Sequence, residues 1–164
     1  MKVIIPTNHD KIERIYAFDP GGTTGYCVIS IDRARVRILI EEIGEFTTWS
    51  RLRELMVWKL NKEKEAVVYE GFRVRTLDAN LIPVEVIGVL RYLCCENKIM
   101  HFEQMPAERV ITEKWFPALV SDFPSHYGSA VRHGIFFCTK HLLKGKLPTL
   151  VYNLKELKNA YVKS

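Results

Sequence analysis

The sequence predicts an α/β fold, a mixed five-stranded sheet with helices on both faces. Three apolar strand-like segments fall within the first 43 residues, and segments with helical and strand spacing then alternate. Two of the predicted strands end in an acidic residue. The chain has 164 residues, 48% of them hydrophobic and 26% charged, and no linker divides it. This composition is typical of one globular domain.

The first three strands form a predicted antiparallel meander. Residues 12–18 and 26–31 are rich in apolar and β-branched side chains, and the Gly-Gly-Thr-Thr-Gly segment at 21–25 predicts a hairpin turn between them. Residues 35–43 alternate apolar side chains with charged or bulky ones. We therefore expect three neighbouring antiparallel strands.

The rest of the chain predicts helices alternating with single strands. In order these are a helix over 48–62, a strand over 66–69, a helix over 84–97, a strand over 99–104 and a helix over 126–143. Prolines at 106, 117 and 124 predict a loop region before the last helix. Residues 1–145 are predicted to form the main domain, followed by a basic tail over 146–164 with a short helix.

The positive charge lies at the C-terminal end of the chain. Residues 140–164 contain six lysines against one glutamate, an excess equal to the net charge of +5 of the whole chain. A local basic excess indicates contact with a polyanion, and Lys144 and Lys146 are candidates. A solvated helix face explains the same charge equally well.

The sequence shows no membrane span, signal peptide or zinc-site cysteine spacing, and we therefore expect a cytoplasmic protein. No apolar run approaches the roughly 18 residues needed to span a membrane, and the opening Met-Lys-Val-Ile-Ile-Pro is too short for a signal peptide. The four cysteines lack zinc-site spacing and are expected to be reduced packing residues.

Two acidic residues stand at predicted strand ends. Asp19 closes the first strand and Glu70 the fourth, and a right-handed crossover would make these strands neighbours. Two converging carboxylates repel, and a divalent cation such as Mg²⁺ or Mn²⁺ relieves the repulsion. The alternative is that Asp19 only forms a turn and that Glu70 pairs with Arg73 or Arg75 in solvent.

The last predicted helix supplies a third group. His126, Ser129 and His133 recur on one face at helical spacing, which supports a metal ligand at His126. The small residues Gly128 and Ala130 explain the same pattern through close approach of the helix to the sheet.

Three segments carry a resemblance to a known family. Ala-Phe-Asp-Pro-Gly-Gly-Thr-Thr-Gly-Tyr in the first hairpin, Val-Val-Tyr-Glu in the fourth strand and His-Tyr-Gly-Ser-Ala-Val-Arg-His in the last helix resemble the RuvC-like Holliday junction resolvases. The short phage-type members are the most similar, and a phage protein would act in the host cytoplasm. The resemblance spans residues 12–143 and implies the ribonuclease H-like fold.

The resemblance implies a structure-selective DNA endonuclease with a two-metal Mg²⁺ or Mn²⁺ site. Asp19, Glu70 and His126 match its catalytic and metal-binding positions. Where the family has aspartate in His-x-x-Asp-Ala, this chain has Ser129, which we assign to the same metal shell. A hydroxyl binds Mg²⁺ more weakly than a carboxylate. The alternative is therefore a catalytically impaired protein that still binds junctions.

The implied substrate is branched DNA, a four-way junction with two symmetry-related strands, so a homodimer is expected. The candidate interface is the second helix, whose apolar stripe fits plain core packing too. Candidate phosphate contacts are Arg73, Arg75, Arg132, Lys144 and Lys146, and Arg132 fits a salt bridge equally well.

A rival enzyme class follows from the opening motif. The Asp-x-Gly-Gly-Thr-Thr pattern also resembles the phosphate-binding hairpin of the sugar kinase, actin and Hsp70 ATPases. Those proteins need a second such domain and hairpin, and no second motif appears in the remaining sequence.

Overall fold

The computed structural model describes residues 9–163, except 75 and 77. A short 3₁₀ turn over His9–Lys11 precedes a sheet of seven strands. The strands are β1 (Arg14–Asp19), β2 (Thr24–Asp32), β3 (Arg37–Phe46), β4 (Glu65–Glu70), β5 (Met100–Gln104), β6 (Thr149–Val151) and β7 (Val162–Lys163). The helices are α1 (Trp49–Arg53), α2 (Ile82–Glu96), α3 (Pro106–Trp115), α4 (Ala118–Asp122), α5 (His126–Phe137) and α6 (Leu154–Asn159). Widened π-helical turns continue α1 over Glu54–Lys59 and α5 over Cys138–Leu142.

The sheet has the order β5-β4-β1-β2-β3-β6, with β7 also paired to β3. Strands β1, β2 and β3 form the predicted antiparallel meander, and β4 pairs parallel with β1. Strand β5 extends the sheet parallel to β4. The predicted mixed α/β fold is confirmed, and the sheet has two strands more than the predicted five.

Alternating side chains of β1 face two separate hydrophobic cores. Ile15 and Ala17 pack with α5, and Tyr16 and Phe18 pack with α1 and α2 on the opposite face. This is the period-two pattern of a strand buried on both sides. The sheet is therefore fixed from both faces, and its strand ends are held in place.

The apolar stripe of α2 packs mainly within the chain. Val86 is buried in the core beneath the helix, and Val89 and Leu93 pack against it. This agrees with the plain-core interpretation of the stripe. The exposed apolar side chains of this region include Ile82 and Tyr92.

The prediction of a loop between β5 and the last helix is wrong, because this region contains α3 and α4. Pro106 is the first residue of α3, where proline suits the helix because its missing N–H is not needed there. The buried Thr112 hydroxyl donates to the Arg132 carbonyl at 3.0 Å and ties α3 to α5.

The described part of the tail packs on the β3 side of the sheet. Strands β6 and β7 both pair parallel with β3, and Leu157 of α6 is buried in the core. The short helix predicted in the tail is present as α6. The division into a main domain and a tail remains a prediction. Across the described residues, no helix is long and apolar enough to cross a membrane.

Candidate active site

The two strand-end carboxylates lie on neighbouring strands. Phe18 of β1 pairs with Tyr69 of β4 in parallel register, and Asp19 and Glu70 are the next residues of each strand. Burial and the negative charge of Glu70 raise the pKa of Asp19 above its usual value. The sheet therefore holds two acids close enough to interact, as the sequence predicted.

His126 lies against Asp19, with its Nδ1 atom 3.2 Å from Oδ2 of Asp19. An ionised Asp19 carboxylate only accepts hydrogen bonds, so Nδ1 is the donor in this contact and Nε2 is the nitrogen left for a cation. The His126 side chain is 56% exposed, whereas the Asp19 side chain is 16% exposed. The pair thus has a half-buried acid and an open imidazole.

The position of His126 depends on two residues of the meander. Gly25 pairs with Asp19, and a Cβ on Gly25 would lie 2.1 Å from the His126 carbonyl carbon. Glu45 of β3 accepts hydrogen bonds from the Ser125 hydroxyl and, at 3.1 Å, from the His126 backbone N–H. A carboxylate at this point accepts a hydrogen bond from a backbone N–H that has no partner within α5. Its negative charge also interacts favourably with the positive end of the helix dipole. Glycine permits the approach, and Glu45 fixes it.

Glu70 is engaged from the other side of the site. Its Oε2 atom contacts Nε2 of the fully buried His133, whose Nδ1 lies 3.1 Å from Oε1 of Gln104. Nη1 of Arg109 is 3.9 Å from the same Glu70 oxygen. Burial favours the neutral acid, but the His133 hydrogen bond and the charges of His133 and Arg109 outweigh it and lower the pKa of Glu70. Glu70 is therefore held ionised.

Ser129 meets an arginine in this site. Its hydroxyl accepts a hydrogen bond from Nη1 of Arg109 at 3.2 Å, and Ser129 itself is 7% exposed. Position 129 is where the resemblance places an acidic metal ligand. In this chain the same place holds a neutral hydroxyl paired with a cation.

Three residues of the site were missing from the sequence-based set. His133 shares its helical face with His126 and Ser129, and that spacing was the available signal. Arg109 lies in the region predicted as loop, and Glu45 lies inside a strand, so neither had a local signal. Only the packing of α3 and β3 against α5 brings these two to the site.

The predicted phosphate contacts lie in different parts of the molecule. Arg73 is exposed and borders a cavity of 510 Å³ that also reaches Glu70. Arg75 lies outside the described residues. Lys144 and Lys146 are exposed beyond Leu142, where the π-helical continuation of α5 ends. They lie past the end of α5 opposite to His126, and the 12 residues of α5 alone span roughly 18 Å at about 1.5 Å per residue.

Arg132 is buried and pairs with other residues of the chain. It is 8% exposed, its Nη1 donates to the Phe123 carbonyl at 3.2 Å, and its Nε lies 3.0 Å from Oε1 of Glu113. This geometry agrees with the salt-bridge interpretation. Because Arg132 is buried and already pairs with Glu113 and the Phe123 carbonyl, we omit it from the proposed DNA contacts.

The acidic pair fits one divalent cation better than two. Among residues 9–74, 76 and 78–163, hydrogen bonds reach Oδ2 of Asp19 and Oε2 of Glu70, which leaves Oδ1 and Oε1 for an ion. Burial and then the charge of Glu70 raise the pKa of Asp19, and a cation between the two acids would offset their repulsion. A second ion would meet Ser129 and the positive Arg109. In the described part of the chain, no three His, Cys, Asp or Glu side chains are grouped as a metal site.

Solved structures with the same fold are Holliday junction resolvases. RuvC of Thermus thermophilus has a TM-score of 0.63 at 13% identity, covering 82% of this chain and 99% of its own. The same protein in complex with Holliday junction substrate has a TM-score of 0.59 at 15% identity, covering 79% and 97%. The fowlpox virus Holliday junction resolvase has a TM-score of 0.53 at 11% identity, covering 77% and 98%.

No protein-family model and no curated protein matches the sequence. The structural likeness is at low identity and concerns the fold. The chain has the ribonuclease H-like fold of RuvC, as predicted. The ATPase alternative gains no support from these neighbours.

Proposed function

We propose that this protein is a divalent-metal-dependent endonuclease that cuts branched DNA, with the four-way junction as its substrate. The observation that carries the proposal is that Asp19 and Glu70 directly follow the paired residues Phe18 and Tyr69 at neighbouring strand ends, with His126 against Asp19. The fold shared with RuvC and the fowlpox virus resolvase supports the same reaction class. The phage-type assignment stays a prediction.

Asp19 and Glu70 would hold Mg²⁺ or Mn²⁺, with Nε2 of His126 as the neutral ligand. When bound, the ion supplies positive charge for the phosphate oxygens and acidifies the attacking water. The products are a 5′-phosphate and a free 3′ hydroxyl, because the water oxygen bonds to phosphorus as the bond to the 3′ oxygen breaks. His133 keeps Glu70 ionised and oriented throughout.

A junction has two equivalent strands to cut, so the proposal includes a homodimer with one site in each copy. The candidate contact surface lies at α2 and consists of exposed apolar side chains: Leu81, Ile82, Val84 and Tyr92. Arg73, Arg75, Lys144 and Lys146 are the candidate phosphate contacts. Lysines beyond the end of α5 that lies away from His126 suit a duplex arm that extends away from the cut.

A second function is favoured by one observation, the Ser129 hydroxyl paired with Arg109 in place of an acidic ligand. A site with one ligand fewer binds cations more weakly. The alternative function is a junction-binding protein that does not cut.

The test is cleavage of a synthetic four-way junction with Mg²⁺, with Mn²⁺ or with a chelator. The nuclease proposal predicts paired, symmetric nicks that need the metal and disappear in Asp19→Asn. Asp10→Asn, which removes an exposed carboxylate ahead of β1, is the matched control and should cut normally. Tight binding without nicks under every metal condition would instead support the binding function.

A further inference from the structure

Arg109 is the one cation of the described chain whose guanidinium touches both Glu70 and Ser129. Its Nη1 donates to the Ser129 hydroxyl at 3.2 Å and lies 3.9 Å from Oε2 of Glu70. The side chain is 34% exposed, so it borders the solvent opening of the site. Its remaining N–H groups are available to an incoming anion.

Helix α3 holds Arg109 in this place. Thr112, one turn later on the same face, is fully buried and bonded to the Arg132 carbonyl of α5. Trp115 stacks on Phe136 of α5, with ring centroids 5.7 Å apart and planes within 5°. The start of α3 is closed by the Glu108 side chain, which accepts the Met105 backbone N–H. A helix fixed at both ends presents Arg109 to the site with little freedom.

The charges around Arg109 disfavour a second divalent ion. Asp19 and Glu70 bring two negative charges, and Glu70 already faces Arg109 and His133. An ion placed beside Ser129 would have a neutral oxygen as its ligand and a guanidinium within contact distance. Like charges this close repel strongly in a half-buried site. The two-metal arrangement therefore does not fit these residues.

We propose that Arg109 is a built-in cation that replaces the second metal ion, so that the site binds one divalent ion per chain and Arg109 contacts the scissile phosphate. The inference rests on the proposed nuclease function. A guanidinium matches the geometry of phosphate oxygens and stabilises the extra negative charge of the transition state. Arg109 thus supplies positive charge on the Ser129 side of the phosphate, and the ion supplies it on the Asp19 side.

The first experiment counts ions without relying on cleavage. Titration of the full-length protein with Mn²⁺, followed by the electron paramagnetic resonance of free Mn²⁺, should give one bound ion per chain. The double variant Arg109→Ala with Ser129→Asp should bind two, because the repelling cation is removed and a carboxylate is added. Two ions in the wild type would overturn this inference and leave the nuclease proposal standing, whereas no bound ion would overturn both.

The second experiment tests the phosphate contact. Arg109→Met should slow junction cleavage by at least about 100-fold and still bind one Mn²⁺. Lys114→Met removes the same charge from an exposed position of α3 and should keep the wild-type rate. Far-UV circular dichroism and the unfolding temperature verify that both variants fold. Wild-type cleavage by Arg109→Met would overturn the inference.

Discussion

The Nδ1 atom of His126 lies 3.2 Å from Oδ2 of Asp19, although 107 residues separate them in the chain. Gly25 and Glu45 produce this contact, since one admits the start of α5 to the sheet and the other bonds its first backbone N–H. The geometry of the candidate site therefore depends on Gly25 and Glu45, to which the proposal assigns no chemical role, and substitutions at these two positions test it.

Gly25→Ala should reduce both stability and cleavage. The new Cβ would lie 2.1 Å from the His126 carbonyl carbon, so α5 must move away from β2. Overpacking of this kind costs about 1–3 kcal/mol, a fall of roughly 2–12 °C in unfolding temperature for a chain of this size. Gly22→Ala is the control, because its Cβ would meet no atom within 4 Å. Equal unfolding temperatures for the two variants would contradict the predicted close approach.

Glu45→Gln should lower the free energy of unfolding at pH 7 by about 1–2 kcal/mol, because a charged acceptor at the start of α5 becomes neutral. Burial raises the pKa of Glu45, but hydrogen bonds from Ser125 and Tyr161 outweigh it and place the pKa below its usual 4.5. Its stabilising contribution is therefore complete above pH 4.5 and is lost as pH falls through the lower folded value.

Urea unfolding of wild type and Glu45→Gln at several pH values measures this contribution. The difference between their free energies of unfolding should shrink steadily below pH 4.5. Glu63→Gln, an exposed change in the turn before β4, should follow the wild type at every pH. A gap that is unchanged at low pH would show that the Glu45 charge does not stabilise α5.

Asp19→Asn should abolish cleavage and at the same time stabilise the metal-free protein at neutral pH. Burial and Glu70 raise the pKa of Asp19, so ionising this acid at pH 7 costs more free energy in the folded protein than in the unfolded chain. The stability that a raised pKa confers is present below pH 3.8 and is lost as pH rises through the folded value. Asparagine stays neutral, and its variant should unfold at higher urea than wild type at pH 7 with a chelator present.

The cleavage rate of Asp19→Asn should fall by more than about 100-fold, the upper range for groups that only support a metal ligand. Saturating Mn²⁺ should reverse the order of stability, because the wild type gains binding energy that the variant lacks. A variant less stable than wild type in chelator would contradict the predicted carboxylate repulsion.

Glu113→Gln tests the structural role of Arg132. Removing the charge leaves the buried guanidinium without its anionic partner, 3.0 Å away in the wild type. The unfolding free energy should fall by about 1–3 kcal/mol, and junction affinity of the folded variant should stay at the wild-type value. A gain of junction affinity without a loss of stability would return Arg132 to the DNA-contacting set, because the released guanidinium would then be binding phosphate.

Arg73→Ala should weaken junction binding without affecting stability, since Arg73 is exposed beside the cavity that reaches Glu70. Losing one phosphate contact should reduce the slope of log affinity against log salt by about one. Fluorescence anisotropy with a labelled junction in chelator measures both quantities. The exposed Arg53→Ala of α1 serves as the control for loss of a surface arginine.

Local patterns predicted strands β1 to β5 of the sheet and the two strand-end acids. The alternation in β1 and the apolar run of β4 are strong local signals, and both strands end at the carboxylates that the sequence indicated. The sequence does not reveal helix α3, because prolines at 106, 117 and 124 predict a loop, although proline at the first helical position is compatible with a helix. The tail strands β6 and β7 are too short to produce a clear pattern.

The sequence alone determined that Asp19, Glu70 and His126 stand at element ends, because chain direction and side-chain periodicity are local properties. Tertiary structure decided their partners: Arg109 beside Glu70 and Ser129, His133 beneath Glu70, and Glu45 at the start of α5. These contacts join residues from distant parts of the chain, so they depend on how α3 and α5 pack against the sheet. No spacing along a single segment encodes that packing, and the charge balance of the site follows from it.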